Sequence, residues 1–273
     1  MKTSLLITNN EWLKDATRKL IIAGIKSAPL DSLIILSFCL KVSKIEILTN
    51  PTRTIPNKKI KLVNRFLAKR LEHYPISYLI KQVEFYGRTF YIDSRVLSPR
   101  PESEAFINIL KLSDISNLRY LTDVGCGSGI LGITSKLEFP HLDIEFLDNS
   151  RNALKVASLN IDNFKIESII RLSDIINDSD YKFDIILANL PYIPYSTIIN
   201  KAAGHEPKMA IFAHDNGLYF YKILIKQLTV AKKSPKHILI ECLESQIVPL
   251  TKLFNNISYK LTASDGLVHR FSK

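Results

Sequence analysis

The chain has 273 residues, of which 46% are hydrophobic, and it carries a formal net charge of +11 at pH 7. This content is enough to bury a large core, which excludes an intrinsically disordered chain. The positive charge favours an anionic partner, such as RNA or a ribosome-associated protein. The three cysteines are far apart and none of the histidines has a partner at metal-ligand spacing. We therefore expect neither a disulfide framework nor a metal site.

The first twenty residues contain only a short apolar run before Glu11 and Asp15. This pattern argues against a secretory signal and against a transit peptide. The most apolar early run, residues 33–40, is too short to span a bilayer. We therefore expect a cytoplasmic protein without membrane association.

Residues 1–75 show helical periodicity and almost no strand alternation, which predicts a small N-terminal helical domain. Apolar residues recur at helical spacing within the basic stretch 57–70, so its lysines and arginines are expected on the solvent face of an amphipathic helix. Two short β-rich segments around Gly87 then predict a hairpin. We interpret residues 76–98 as a β-hairpin linker.

From residue 99 to residue 273, strand patterns alternate with helical patterns. This alternation predicts an α/β fold with a mostly parallel, doubly wound sheet. Two further runs near the end of the chain are predicted to pair antiparallel. The predicted parallel strands cover residues 119–124, 143–148, 168–172, 183–188 and 237–242.

A glycine-rich turn, DVGCGSG, follows the first of these strands. Its glycines allow positive φ and close approach of a ligand to the backbone, and the next helix presents the positive end of its dipole. The GxGxG spacing differs from the GxGxxG of dinucleotide-binding proteins. Asp148 ends the second strand, where a carboxylate can bind both hydroxyls of a ribose. After the third strand, Asp174 can bind an adenine amino group and Ile175 can pack on the ring.

These three elements together resemble the S-adenosylmethionine-dependent methyltransferases, and the resemblance implies S-adenosyl-L-methionine as the cofactor. The alternative is that the glycines only make a tight turn and the acids only cap helices. Cys126 has no neighbouring base and is expected to fill space rather than to act as a nucleophile. The candidate cofactor-binding residues are Asp123, Gly125, Cys126, Gly127, Ser128, Gly129, Asp148, Asp174, Ile175 and Asn189.

The segment ANLPYIP follows the fourth predicted strand, on the same edge of the sheet as the glycine turn. The Asn189 side-chain oxygen and the Leu190 carbonyl can accept both hydrogens of a planar NH2 group and aim its nitrogen at a methyl donor. Pro191 fixes the backbone here, and Tyr192 can stack on the planar group. These four residues are our candidate catalytic and substrate-binding residues. The alternative is a plain Asn-Pro turn after a strand.

The motif resembles the [ND]PPY of methyltransferases that act on planar NH2 groups of adenine, guanine or glutamine. Leu190 stands where many members have proline, which is expected to make the loop less stiff. The form NLPY is also typical of ribosomal RNA adenine dimethyltransferases. An rRNA or DNA amino-group methyltransferase, acting on adenine N6 or guanine N2, is therefore the alternative function. A cofactor-binding scaffold without turnover is a third hypothesis, which the intact NLPY disfavours.

Four further segments resemble stretches of the HemK/PrmC family, the glutamine methyltransferases of peptide chain release factors. They are APLDSLIIL, HYPISYLIKQVEFYG, RVLSPRPESE and HEPKMAIFAHDNGL. The resemblance implies that the N-terminal domain helps to dock a class I release factor, and that the glutamine of its GGQ motif reaches the NLPY segment. We expect the enzyme to be a monomer.

Two charged residues in the RVLSPRPESE segment are added to the candidate substrate site by this resemblance. Arg100 and Glu102 match the family's PRPxTE, whose implied role is to brace the substrate pocket. A domain-linker role is the alternative, since charges flanked by prolines often only shape a loop. His205 replaces the family's phenylalanine and is expected to pack in its loop.

Overall fold

The computed structural model describes residues 7–180, 182–230 and 234–273. Residues 1–6, at the start of the predicted helical domain, lie outside the described residues. The chain divides into two compact units, Met1–Lys81 with Asn200–His205 and Gln82–Ile199 with Glu206–Lys273. The domain boundaries that we drew after residues 75 and 98 stay predictions.

The smaller unit is built from short helices around one apolar core. Its α-helices are α1 (Asn9–Ile22), α2 (Ala28–Leu40), α3 (Lys44–Thr49), α4 (Asn57–Leu71) and α5 (Ile76–Ile80). Helix α1 begins with a capping box, because the Thr8 hydroxyl accepts from the Glu11 N–H while the Glu11 carboxylate accepts from the Thr8 N–H at 2.8 Å. Trp12, Leu36 and Leu67 are among the buried side chains of the core.

Helix α4 contains the basic stretch and is amphipathic, as the sequence predicts. Val63 and Leu67 are buried, while the lysines are exposed or half-buried. Arg70 departs from the prediction that all basic side chains lie on the solvent face. It is buried, and its Nε donates to Asp31 Oδ2 at 2.6 Å. A guanidinium is tolerated in this interior because a carboxylate neutralises it and accepts its hydrogen bond.

His205 belongs to the smaller unit and makes packing contacts there. Its Nε2 lies 3.0 Å from the Glu72 carbonyl oxygen, and its ring meets the Tyr74 ring edge to face with centroids 5.3 Å apart. Both contacts suit the predicted loop-packing role.

The larger unit begins with the predicted hairpin. Strands β1 (Gln82–Phe85) and β2 (Arg88–Tyr91) pair antiparallel around Gly87, whose φ of +71° suits a glycine in the turn. The prediction of a hairpin here is confirmed.

A seven-stranded sheet forms the centre of this unit. The five strands that run parallel are β3 (Tyr120–Val124), β4 (Asp143–Asp148), β5 (Ser168–Leu172), β6 (Ile185–Ala188) and β9 (His237–Glu241). The last two strands, β10 (Lys260–Asp265) and β11 (Val268–Ser272), pair antiparallel, and β11 also pairs antiparallel with β9. The order across the sheet is β10-β11-β9-β6-β3-β4-β5. The predicted fold class is confirmed.

Helices cover both faces of this sheet. They are α6 (Ala105–Lys111), α7 (Ile130–Glu138), α8 (Arg151–Phe164), α9 (Tyr219–Val230) and α10 (Glu244–Asn255). Strand β6 is buried throughout, with Ile185 and Leu187 in the cluster that includes α6 to α8, and Ile186 and Ala188 in the cluster that includes α9 and α10. This alternation explains why the strand is a continuous apolar run, since a parallel strand between two helical layers has no solvent face.

The strand order reverses between β3 and β6, because the chain continues from β3 to β4 and β5 on one side and returns to β6 and β9 on the other. Ligands of such sheets bind outside the carboxyl ends of the strands at this reversal point. After β6, the chain forms the short strand β7 (Ile193–Pro194), which pairs in parallel with β8 (Phe212–Ala213). No helix within the described ranges is long and apolar enough to cross a membrane.

Candidate active site

The carboxyl ends of β3, β4, β5 and β6 border one cavity. The cavity has a volume of about 130 Å³. Most of the predicted site residues line it, namely Asp123, Gly125, Cys126, Gly127, Ser128, Asp148, Ile175, Asn189, Leu190 and Pro191. Four distant parts of the sequence therefore meet at one surface.

The glycine turn adopts the left-handed conformations that its sequence predicts. Gly125, Gly127 and Gly129 have φ of +68°, +55° and +76°, which non-glycine residues rarely adopt. A Cβ at Gly127 would have no neighbour within 4 Å, so this residue presents bare backbone to the cavity. Gly129 precedes α7 and is not among the cavity-lining residues.

Asp148 fixes the glycine turn from the end of β4. Its Oδ2 accepts from the Gly127 N–H at 2.9 Å, and its Oδ1 accepts from the Ser150 N–H at 2.8 Å. Burial raises the pKa of Asp148, while these backbone hydrogen bonds oppose the shift. A carboxylate has about four acceptor positions, which the backbone hydrogen bonds from Gly127, Ser150 and Asn149 do not use up, so Asp148 still has capacity to bind a ligand hydroxyl.

Asp123 lies near the end of β3, just before the turn, and is buried. Its Oδ2 accepts from the Gly132 N–H at 2.9 Å, which ties the end of β3 to the first turn of α7. Burial raises the pKa of Asp123 to about 7, and the nearby Asp148 carboxylate adds to the shift. Burial likewise raises the pKa of the Cys126 thiol, which favours the expected space-filling role over a nucleophilic one.

The segment after β5 contributes two of its three residues to the cavity. Ser173 and Ile175 line it, whereas Asp174 is exposed and is not among the lining residues. Ile175 has a φ of +57°, which is rare for a β-branched residue. Strained backbone of this kind clusters at functional sites. The predicted contact of Asp174 with an adenine amino group stays a prediction.

Asn189 follows β6 and lines the cavity, and its side-chain NH2 group is hydrogen-bonded to two neighbouring side chains. Its Nδ2 donates to Glu241 Oε2 at 2.9 Å and to Ser103 Oγ at 3.2 Å. Because a carboxylate only accepts hydrogen bonds, the NH2 group of Asn189 must face Glu241. Within the described residues, Asn189 Oδ1 accepts no hydrogen bond, which leaves it available to a ligand.

Leu190 and Tyr192 make contacts that the sequence analysis did not foresee. Leu190 is 3% exposed, and its Cδ2 lies 2.9 Å from the position of a Cβ built on Gly125. This leucine therefore packs against the glycine turn. The Tyr192 hydroxyl donates to Glu241 Oε1 at 2.7 Å, and the Tyr192 side chain is not among the cavity-lining residues. Its predicted stacking on the substrate stays a prediction.

The predicted bracing residues lie in and beside the 3-10 helix Pro101–Glu104. Arg100 donates to Glu206 Oε2 at 2.8 Å, where the Glu206 side chain is 1% exposed. Glu102 is exposed, and neither Arg100 nor Glu102 lines the cavity. Ser103, which lies between Glu102 and Glu104 in the chain, does line the cavity.

Sequence reasoning missed two side chains that hold the Asn189 segment. The first is Glu241, which we treated only as part of the predicted strand 237–242. An acidic residue at the carboxyl end of an apolar strand is nevertheless the signal that identified Asp148. Gln246 is the second, because its Nε2 donates to the Tyr192 carbonyl at 2.7 Å. The described residues contain no group of three or more His, Cys, Asp or Glu side chains that could hold a metal ion.

The chain matches two domain families in succession. Residues 11–80 match the family described as PrmC N-terminal domain, and residues 101–205 match the family described as Methyltransferase small domain. A solved structure of the hMettl16 catalytic domain in complex with a MAT2A 3'UTR hairpin is similar in fold, with a TM-score of 0.55 and 15% identity over 81% of this chain and 82% of that chain.

Curated relatives extend the match. A bifunctional methyltransferase of Rickettsia prowazekii is 29% identical over 274 residues, which cover 91% of this chain and 53% of that protein. The chain thus spans about half the length of the bifunctional relatives that it matches. A release factor glutamine methyltransferase of Mycoplasma mycoides subsp. mycoides is 32% identical over 201 residues, which cover 71% of each chain. The chain belongs to the HemK/PrmC family, that of the release factor glutamine methyltransferases.

Proposed function

We propose that this protein methylates the side-chain amide nitrogen of the glutamine in the GGQ motif of class I release factors, with S-adenosyl-L-methionine as the methyl donor. The observation that carries the proposal is the orientation of Asn189. Its NH2 group is engaged by Ser103 and Glu241, and its Oδ1 is available at the cavity that the glycine turn also borders. A hydrogen-bond acceptor in this position suits a substrate nitrogen that carries hydrogens.

The residues around the glycine turn fit the proposed cofactor. S-adenosyl-L-methionine supplies an electrophilic methyl group on a positively charged sulfur. We propose that Asp148 accepts hydrogen bonds from the ribose hydroxyls, since its carboxylate retains acceptor capacity beyond the Gly127 and Ser150 bonds. The bare backbone at Gly127 leaves room for a ligand, and Ile175 offers an apolar surface for a base.

Asn189 and Leu190 are proposed to activate the substrate nitrogen. An amide nitrogen is a poor nucleophile because its lone pair is delocalised into the carbonyl. Two acceptors, Asn189 Oδ1 and the Leu190 carbonyl, would hold its two hydrogens and orient the lone pair toward the methyl group. The transfer forms a C–N bond, breaks a C–S bond whose electrons stay on sulfur, and releases one N–H proton to solvent. No strong base is required, because the nitrogen becomes acidic as it is alkylated.

The helical unit is proposed to contribute to docking of the release factor, with the protein acting as a monomer in the cytoplasm, where translation terminates. The net charge of +11 favours a second candidate, amino-group methylation of RNA. The relatives named release factor glutamine methyltransferases favour the protein substrate.

Labelled S-adenosyl-L-methionine distinguishes these functions. The protein is incubated with the label and, in separate reactions, with a class I release factor, with the same factor carrying alanine in place of the GGQ glutamine, and with ribosomal RNA. We expect label in the intact release factor only. Label in RNA alone would contradict the proposed substrate, and label in none of the reactions would contradict the proposed enzyme.

Asn189→Ala tests the proposed grip on the nitrogen. Loss of one positioned hydrogen-bonding group is expected to lower turnover by roughly two to three powers of ten. Asn177→Ala is the matched control, because Asn177 is an exposed asparagine outside the cavity lining. Equal turnover of the Asn189 variant and the control would contradict the proposed role.

A further inference from the structure

We propose that Glu241 is a positioning residue whose ionised carboxylate fixes the orientation of the Asn189 amide and thereby selects substrates that present N–H donors. The inference rests on the proposed function for its chemistry. It concerns a side chain on β9, a strand that the NLPY motif does not include.

Glu241 is the point at which three donors meet. It is the last residue of β9 and is 2% exposed. Its Oε2 accepts from Ser103 Oγ at 2.6 Å and from Asn189 Nδ2 at 2.9 Å, and its Oε1 accepts from the Tyr192 hydroxyl at 2.7 Å. The carboxylate therefore contacts the 3-10 helix before α6 and two residues of the NLPY segment.

The backbone around Glu241 is held as firmly as its side chain. The Tyr221 hydroxyl, buried in α9, donates to the Glu241 carbonyl at 2.5 Å and to the Ala188 carbonyl at 3.3 Å. This hydroxyl links the carboxyl ends of β9 and β6, which are neighbours in the sheet. The carboxylate is thus fixed relative to the residue that precedes Asn189.

The charge of Glu241 determines which end of the Asn189 amide faces the cavity. A carboxylate has only acceptors, so a flipped amide would bring Asn189 Oδ1 against Glu241 Oε2, two acceptor oxygens with no hydrogen between them in a buried site. With the NH2 group facing Glu241, Oδ1 is left for the ligand. A flipped amide would instead present N–H donors and would repel a substrate amino group, which is the physical basis of the proposed selection.

Protonation of Glu241 removes this constraint. A protonated carboxyl has an O–H group that can donate a hydrogen bond to Oδ1 of a flipped Asn189 amide. Both orientations of the amide then become possible. Burial raises the pKa of Glu241, while hydrogen bonds from Ser103 and Tyr192 oppose the shift. Turnover should therefore be highest above the pKa of Glu241 and fall as the pH decreases through it. The titratable or charged groups that face Glu241 are Arg100, Glu102, Tyr192, Tyr221 and Cys242.

The first experiment compares pH–rate profiles of the wild type and Glu241→Gln with release factor as substrate. A glutamine can hold either orientation of Asn189, so we expect kcat to fall roughly tenfold to a hundredfold and the acid limb of the profile to disappear. Affinity for S-adenosyl-L-methionine, measured by calorimetry, should change much less. Glu241→Asp keeps the charge and should retain an acid limb.

A matched control separates positioning from stability. Glu145→Gln is the same substitution at another buried strand glutamate, which accepts from the Ser179 hydroxyl at 2.7 Å and does not line the cavity. It is expected to lower stability and to leave the acid limb in place. Loss of the acid limb in both variants would overturn the assignment to Glu241.

The second experiment needs no methyl-accepting substrate, so it separates failure of this inference from failure of the proposed function. In 15N-labelled wild-type protein, the side-chain amide resonances of Asn189, assigned by their absence in Asn189→Ala, should shift with pH as Glu241 titrates. Resonances that do not respond to pH would overturn the inference, even if Glu241→Gln failed to fold. A pH response that persists unchanged in a folded Glu241→Gln would overturn it equally.

Discussion

Replacement of Gly127 by alanine tests whether the glycine turn holds the cofactor. Gly127 has a φ of +55° and lines the cavity, and a Cβ added to it would meet no atom within 4 Å. The added methyl group would therefore occupy cavity space without disturbing any neighbour. An L-residue in the left-handed conformation costs roughly 1–2 kcal/mol relative to glycine, which the protein should tolerate. The variant should fold and bind the cofactor poorly.

The expected loss of affinity follows from the size of the methyl group. A methyl group forced into a packed interface costs about 1–3 kcal/mol. This cost corresponds to roughly 5-fold to 150-fold weaker binding. Isothermal titration calorimetry with S-adenosyl-L-methionine measures the affinity, and urea unfolding measures the stability.

Gly87→Ala is the control, because it introduces the same kind of backbone strain at a glycine that does not line the cavity. Gly87 lies in the β1–β2 hairpin with a φ of +71°, has no atom within 4 Å of an added Cβ, and is outside the cavity lining. Both variants should lose similar stability, and only Gly127→Ala should lose affinity. Equal affinity of the two variants would refute the idea that the turn contacts the cofactor.

Three further predictions concern stability. Gly132→Ala should destabilise the protein by about 1–2 kcal/mol in urea unfolding, although alanine favours helices, because its Cβ would overlap the buried Phe146 ring. The Asp123 carboxyl binds its proton more tightly in the folded protein, because its pKa rises from 3.8 to about 7 on folding. Its contribution to stability is therefore complete below pH 3.8 and is lost as the pH rises through about 7. Asp123→Asn should remove this pH dependence from unfolding curves. Arg100→Gln should destabilise the protein at neutral pH by roughly 1–3 kcal/mol, since it leaves the Glu206 carboxylate buried without its cation, and the added change Glu206→Gln should recover most of the loss in thermal unfolding.

The strands of the large unit could be predicted well because each is a short apolar run with a polar end. Strand β4 ends at Asp148 and β5 ends at Leu172, as the sequence indicates. The predicted fourth strand began two residues early, at Phe183, because apolar character alone does not mark where ladder pairing starts. The mostly parallel sheet followed from the alternation of strands and helices, whereas the order of its strands is known from the structure.

The partners of the site residues could not be predicted in the same way. Ser103 and Glu241 are 138 positions apart in the chain, and their hydrogen bond depends on the order of the strands rather than on any local pattern. Besides the proposed role of its backbone carbonyl, Leu190 was expected to make its loop less stiff, yet its side chain is buried against Gly125. The reason is that a leucine in this position can reach the neighbouring turn, which no feature of the NLPY motif reveals.

The segment after β6 is shaped by residues that lie far outside its motif. Gln246, in α10, donates from Nε2 to the carbonyls of Tyr192 and Asn216 at 2.7 and 2.8 Å. A Cβ at Gly217 would overlap both Gln246 Nε2 and the Tyr192 carbonyl oxygen, so only glycine allows these two segments to approach. The asparagine, proline and tyrosine of the motif are shared by enzymes that act on different NH2 groups. Since the motif supplies the same groups in each case, the geometry that distinguishes their substrates has to come from surrounding contacts of this kind.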